Sequence, residues 1–154
     1  MKTLMLHHIH DWMLDLDCSE FDILTFDDGL ESQYKYHEHF NKFKKPMYFF
    51  ISTSMPDTGH HMSWKAVKEL SELYNVGGHS HNHPDLRNTK ITSQLETVKN
   101  ECQMMMAEFE KHEIKIDSFC FPYNYEALGY RSILKSYGIE KFFGSERIDV
   151  DIYK

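Results

Sequence analysis

The sequence predicts an α/β domain with parallel strands, on three observations. Short apolar runs alternate with longer amphipathic segments, the pattern of strands joined by crossover helices. No internal repeat, low-complexity tract or linker interrupts that alternation across the 154 residues. The residues with metal or acid–base chemistry follow the apolar runs, at the strand C-terminal ends where parallel α/β folds gather their sites.

Taken in order, the runs predict strands at 3–8, 21–26, 47–52, 75–78, 117–121 and 140–143. The intervening segments Glu31–Lys44, Ser63–Tyr74, Ser93–His112 and Glu126–Tyr137 read as helices. In the third, Ser93 and Glu96 form a capping-box signature ahead of apolar residues at Leu95, Val98, Cys102, Met105, Met106 and Phe109. Gly138, just past Tyr137, supplies a C-terminal stop for the fourth.

Composition sets the outer bounds. With 41% apolar and 27% charged residues, a chain of this length forms one domain, 1–154, with its own core. The net charge of −7, with only 17 Lys plus Arg, lacks the basic excess that nucleic acid or an anionic membrane demands. Neither partner is expected. Lys2 and the run Thr3–Leu6 are too short for a signal-peptide core, and no segment reaches membrane-spanning length. Cys18, Cys102 and Cys120 are odd in number and widely spaced, which fits a reducing compartment. A cytoplasmic setting is the expectation.

The chemistry concentrates in two motifs, Thr25-Phe26-Asp27-Asp28-Gly29 and His79-Ser80-His81-Asn82-His83. Pro84 disfavours helical geometry at His83, and in an extended segment residues 79, 81 and 83 share a face. A single helical turn would also pair His79 with His83. Imidazole and carboxylate suit a borderline divalent metal with one position open for water. Zinc is the first expectation, with cobalt, iron and nickel as alternatives. Asp27 and Asp28 stand where a strand ends against the flexible Gly29, so both can project into one cleft. One carboxylate can bind the ion while the other acts as a general base.

These motifs, followed in order by Met47–Thr53 and then Phe121-Pro122-Tyr123, resemble the polysaccharide deacetylase family of NodB-homology carbohydrate esterases, from about Phe21 to Arg147. The resemblance implies a distorted (β/α) barrel, incomplete at this length. It implies Asp27 as catalytic base, with Asp28, His79 and His83 as ligands of one divalent metal ion. It assigns Pro122 and Tyr123 to substrate binding, with the Tyr123 N–H as oxyanion donor. Two family features are absent. Cys120 occupies the place of the arginine that usually orients the base, and no Leu-x-x-His motif follows His112 to supply the general acid. The segment Met5-Leu6-His7-His8-Ile9 resembles a Tyr-His strand found before the first motif in some members, so His7, His8 and His10 become the candidates for that acid.

The expected activity is hydrolysis of an N-acetyl group from a sugar, with metal-bound water as nucleophile and Asp27 as its base. The cytoplasmic setting favours a nucleotide-linked or lipid-linked saccharide over a finished polymer. The rivals are an inactive homologue that binds metal or saccharide, and a hydrolase of another carbon–nitrogen amide bond. The sequence leaves the oligomeric state open, a dimer that buries the edge of a short barrel being one option. The remaining histidines His37, His39, His60, His61 and His112 read as surface residues, and His81 as a neighbour of the site rather than a ligand.

Overall fold

The computed structural model describes all 154 residues. Seven strands, β1 (Thr3–Leu6), β2 (Ile23–Asp27), β3 (Met47–Ile51), β4 (Asn75–Gly78), β5 (Ser118–Cys120), β6 (Lys141–Phe143) and β7 (Ile148–Asp149), form one sheet in the order β6-β5-β4-β3-β2-β1-β7. Every pairing is parallel, and β6 and β7 remain as edges, so the sheet is an incomplete (β/α) barrel. Five helices connect it: α1 (Glu31–Lys35), α2 (His37–Asn41), α3 (Trp64–Leu73), α4 (Ile91–Lys111) and α5 (Tyr130–Ser136).

Strand alternation sorts side chains onto two buried faces. On β3, Met47, Phe49 and Ile51 join the large core beneath the helices, while Tyr48 and Phe50 point inward to Cys120 and Phe143. On β2, Leu24 and Phe26 join the outer core, with Phe26 stacked on Phe49 at 4.6 Å between ring centroids. The same period sends Ile23, Thr25 and Asp27 to the inner face, where Thr25 and Asp27 pair in register with Tyr48 and Phe50. A carboxylate thereby reaches the barrel interior as the last residue of its strand.

All six expected strands form, with boundaries shifted by up to two residues, and β7 is an addition too short to carry its own sequence signal. The segment Glu31–Lys44 forms two short helices, broken at Tyr36 with φ −111° and ψ 12°. Helix α4 begins at Ile91, two residues before the expected cap. Its cap residue Lys90 makes no side-chain bond, and Gln94 instead donates to the Leu86 and Thr89 carbonyls to fix the entry. Ser63, the first residue of the expected second helical segment, caps α3 by accepting the Ala66 N–H at 3.0 Å. At the end of α5, Gly138 adopts φ 93°, and the Ile139 and Gly138 N–H groups bond back to Leu134 and Lys135, a Schellman closure. Helix α5 itself begins only at Tyr130, four residues after Glu126.

Candidate active site

Five strand ends and the loops after them meet at one end of the barrel. Asp28 and Gly29 both take positive φ, 78° and 69°, which turns the chain sharply after β2 and swings the Asp28 carboxylate back over the strand tips. Gly29 is required there, since an added Cβ would lie 3.1 Å from Ile51 Cδ1 in addition to the unfavourable φ. After β4 the chain makes a second strained turn, with Ser80 at φ 65° and His83 at φ 54°. The end of β3 braces this loop. Ser52 Oγ donates to the His79 carbonyl at 3.0 Å, and the Thr53 and Ser54 N–H groups donate to the Ser80 and His81 carbonyls at 3.0 and 2.9 Å. Thr53 Oγ1 bonds His81 Nδ1 at 2.8 Å, which places His81 beside the site and turned away from it.

The three expected ligands converge. His79 Nε2 and His83 Nε2 are 3.1 Å apart and stand 3.2 and 3.3 Å from Asp28 Oδ1. Donor atoms around an ion with bonds of about 2.0–2.2 Å stand about 3.0–3.5 Å from one another, so this triangle has the dimensions of one face of a coordination shell. Asp28 Oδ1 is buried and makes no hydrogen bond of good geometry despite those two nitrogens. Nδ1 of His79 lies 2.7 Å from the Cys120 carbonyl, which can only accept, so Nδ1 carries the proton and Nε2 presents its lone pair to the triangle. The residues therefore fit a divalent cation. Burial pushes the Asp28 carboxyl up, but the His79 and His83 nitrogens outweigh it and hold it far below the usual range. Burial likewise opposes the charged form of His79, yet Asp28 and Asp27 raise its pKa, so in metal-free protein a proton competes for the place of the ion.

Beside the triangle lies Asp27, 2% exposed and clamped by a residue the sequence did not single out. The fully buried Arg147 side chain uses all five of its donors. Nη1 donates to Asp27 Oδ1 at 2.7 Å and to Thr25 Oγ1 at 3.0 Å; Nη2 donates to Asp27 Oδ2 at 2.8 Å and to Asn124 Oδ1 at 2.7 Å; Nε donates to the Gly144 carbonyl at 3.0 Å. Burial is the largest single influence on Asp27 and raises its pKa, but the charge and bonds of Arg147, with His79 and His7, bring it below the usual carboxylate value. The arginine missing from position 120 is thus replaced from the far end of the chain. Cys120 itself is a small buried thiol with Sγ 3.7 Å from Asp27 Oδ2, pushed by burial and by Asp27 toward its neutral form. It leaves that flank of the carboxylate free of a competing cation.

Of the three N-terminal histidines, the fold brings one to the site. His7 follows β1 and places Nε2 3.8 Å from Asp27 Oδ2 and 3.9 Å from Asp28 Oδ2, with its side chain half exposed. Gln33 on α1 ties this strand end to the next by donating to both the His7 and the Asp27 carbonyls, at 3.1 and 2.5 Å. His8 and His10 face solvent with ring centroids 6.3 Å apart and make no ion pair with either carboxylate. Pro122 opens a 3-10 turn in which Tyr123 and Asn124 both adopt positive φ, 59° and 55°. The turn bonds run from the Asn124 and Tyr125 N–H groups to Phe121 and Pro122 and leave the Tyr123 N–H out. The Tyr123 ring lies 4.7 Å from that of His83, and the Arg87 guanidinium stands 4.5 Å from its centroid. His37 departs from the surface reading: it is buried and bonds Tyr74 Oη at 2.9 Å.

Residues 20–142 match the profile of the family described as polysaccharide deacetylase. No curated protein matched the sequence. Among solved structures, IcaB from Ammonifex degensii superposes with a TM-score of 0.74 at 17% identity, covering 99% of this chain and 93% of that one. A de-N-acetylase from Aggregatibacter actinomycetemcomitans gives 0.70 at 14% identity, covering 96% and 92%. The Streptococcus pyogenes deacetylase PplD, solved in complex with acetate, gives 0.67 at 15% identity, covering 88% and 79%. Identities this low speak to a shared fold.

Proposed function

This chain belongs to the polysaccharide deacetylase family, and on that premise we propose that it is a metal-dependent hydrolase removing the N-acetyl group from a saccharide. The observation that carries the reading is the triangle of Asp28 Oδ1, His79 Nε2 and His83 Nε2, with edges of 3.1–3.3 Å, set directly beside an arginine-clamped second carboxylate. A divalent ion held by those three atoms would supply Lewis acidity, polarising the acyl oxygen and making water more acidic. Everything else falls to the chain's own groups. Asp27, fixed by Arg147 in one orientation and kept ionised, accepts a proton from the attacking water. Tyr123 turns its backbone N–H toward the oxyanion that develops on the acyl group. His7, with Nε2 3.8 Å from Asp27, delivers a proton to the leaving nitrogen as the carbon–nitrogen bond breaks, and the products are acetate and an amino sugar.

The test is metal content of the purified protein together with acetate release from N-acetylated oligosaccharides, with and without a chelator. About one ion per chain, chelator-sensitive release, and an Asp27→Asn variant that keeps the ion but loses turnover are the expected results. An Asp27→Asn variant as active as wild type would remove the base from the mechanism. Metal uptake without release from any N-acetylated saccharide would refute the substrate assignment.

A further inference from the structure

Glu101 lies in the middle of α4, 4% exposed, a buried carboxylate with no cation against it. Its partners are all on the histidine loop. Oε1 accepts the Asn82 N–H at 2.6 Å and the His81 N–H at 3.1 Å, and Oε2 accepts the Asn82 side-chain amide at 2.9 Å. The loop so gripped is the five-residue span that carries both imidazole ligands and holds Ser80 and His83 in left-handed backbone conformations. On its other side the bonds from Ser52, Thr53 and Ser54 reach the carbonyls of residues 79, 80 and 81, and Ser80 Oγ accepts the His83 N–H at 3.0 Å. The end of β3 thus holds the loop mainly by its acceptors, and Glu101 holds it by its donors. Removing the carboxylate leaves the 81–82 peptide N–H groups unbonded, and the chain between His79 and His83 is then free to leave a conformation that non-glycine residues seldom adopt.

We infer that Glu101 is a positioning residue for the metal site, setting the separation of His79 and His83 by anchoring the backbone between them. The inference rests on the metal reading above and adds a residue that touches neither ion nor substrate. Its requirement is reach rather than charge. A glutamine at 101 can present its carbonyl oxygen to the two backbone N–H groups and its amide to Asn82, whose side chain flips to accept. An aspartate keeps the charge but falls one methylene short of the loop.

Zn²⁺ affinity, measured by titration of the full chain against a chromophoric chelator, reads this directly without turnover. Glu101→Gln is expected to bind within about threefold of wild type and Glu101→Asp at least about tenfold more weakly, with circular dichroism showing both folded. Equal affinity in the aspartate variant and wild type would overturn the inference, as would a glutamine variant weakened as much as the aspartate one, since keeping the reach would then recover nothing. Asn82→Ala leaves α4 untouched and removes one of the three bonds; it keeps the question decidable should the aspartate variant not fold, with a loss of about two- to threefold expected and an unchanged affinity counting against the inference. Wild-type protein that binds no Zn²⁺, or binds it as well after His79→Ala, would refute the metal site itself, and this inference with it. In a wild type that binds the ion through His79, loss in Glu101→Asp and Asn82→Ala with affinity kept in Glu101→Gln supports the inference, and the opposite pattern refutes it while leaving the metal site standing.

Discussion

Replacing Arg147 by methionine isolates the most deeply buried ion pair in the protein. The wild-type guanidinium is fully buried, makes five hydrogen bonds, and two of them form a parallel fork on a carboxylate that is itself almost inaccessible to water. Methionine fills similar space but leaves Asp27 buried without its cation, a change that costs about 3–5 kcal/mol when one partner of a buried pair is removed. That is about a fifth or more of the stability typical of a domain this size, about 5–15 kcal/mol. With a urea dependence of about 2 kcal/mol/M, the unfolding midpoint should fall by about 1.5–2.5 M. The assay is urea denaturation at neutral pH in the presence of a chelator, because a bound ion would itself offset the Asp27 charge. The double variant Asp27→Asn, Arg147→Met removes both charges and should recover part of the loss. A single-variant cost below about 1 kcal/mol, or a double variant no more stable than Arg147→Met, would refute the argument that the arginine is there to compensate the carboxylate.

Three further outcomes follow from the same geometry. His7→Gln should lower turnover by about 10²–10⁴-fold while His8→Gln and His10→Gln stay within about threefold, measured as acetate release; a His7 variant of normal rate would leave the proton donor elsewhere. Gly77→Ala should destabilise the protein by about 1–3 kcal/mol in urea melts, because the added methyl meets Ser118 Oγ and approaches Phe50 ring carbons to 2.8 Å in the strand that leads to His79. Acid stability should also change at Asp27, whose folded pKa lies below the unfolded value of about 3.9. As pH falls through that window the unfolded chain takes the proton first, so the stability this carboxylate contributes is complete above about pH 5 and is lost toward the folded pKa. Asp27→Asn should therefore make the acid limb of the stability curve shallower, by up to about 1.4 kcal/mol per pH unit, and an unchanged slope would show that Asp27 titrates alike in both states.

Much of the site is legible in the amino-acid order, because the informative signals are local. Asp28, His79 and His83 stand out in two short motifs, and the apolar runs locate every strand except β7. Local rules mislead where tertiary contacts outweigh them. The Ser93 capping signature loses to the Gln94 side chain, which satisfies the Leu86 and Thr89 carbonyls and lets α4 start earlier. The amphipathic stretch after Glu31 breaks at Tyr36, and His37 turns inward to Tyr74. Arg147 carries no sequence cue, since it lies 120 residues from the aspartate it clamps and resembles any arginine after a turn. Nor does the sequence separate His7 from His8 and His10, a choice made by the pleat of β1 and by the Gln33 bridge to Asp27.

The candidate metal-binding motifs and the parallel α/β class are legible in the amino-acid order alone, because residue types at short spacing signal coordination chemistry and local apolar patterning signals strands, although spacing does not tell Asp27 from Asp28. Which cation holds Asp27, which histidine faces it, and how Glu101 fixes the loop between the ligands are properties of the folded molecule. Those are contacts between segments about 20 to 120 residues apart, and their geometry exists only once the strand ends have been brought to the same end of the sheet.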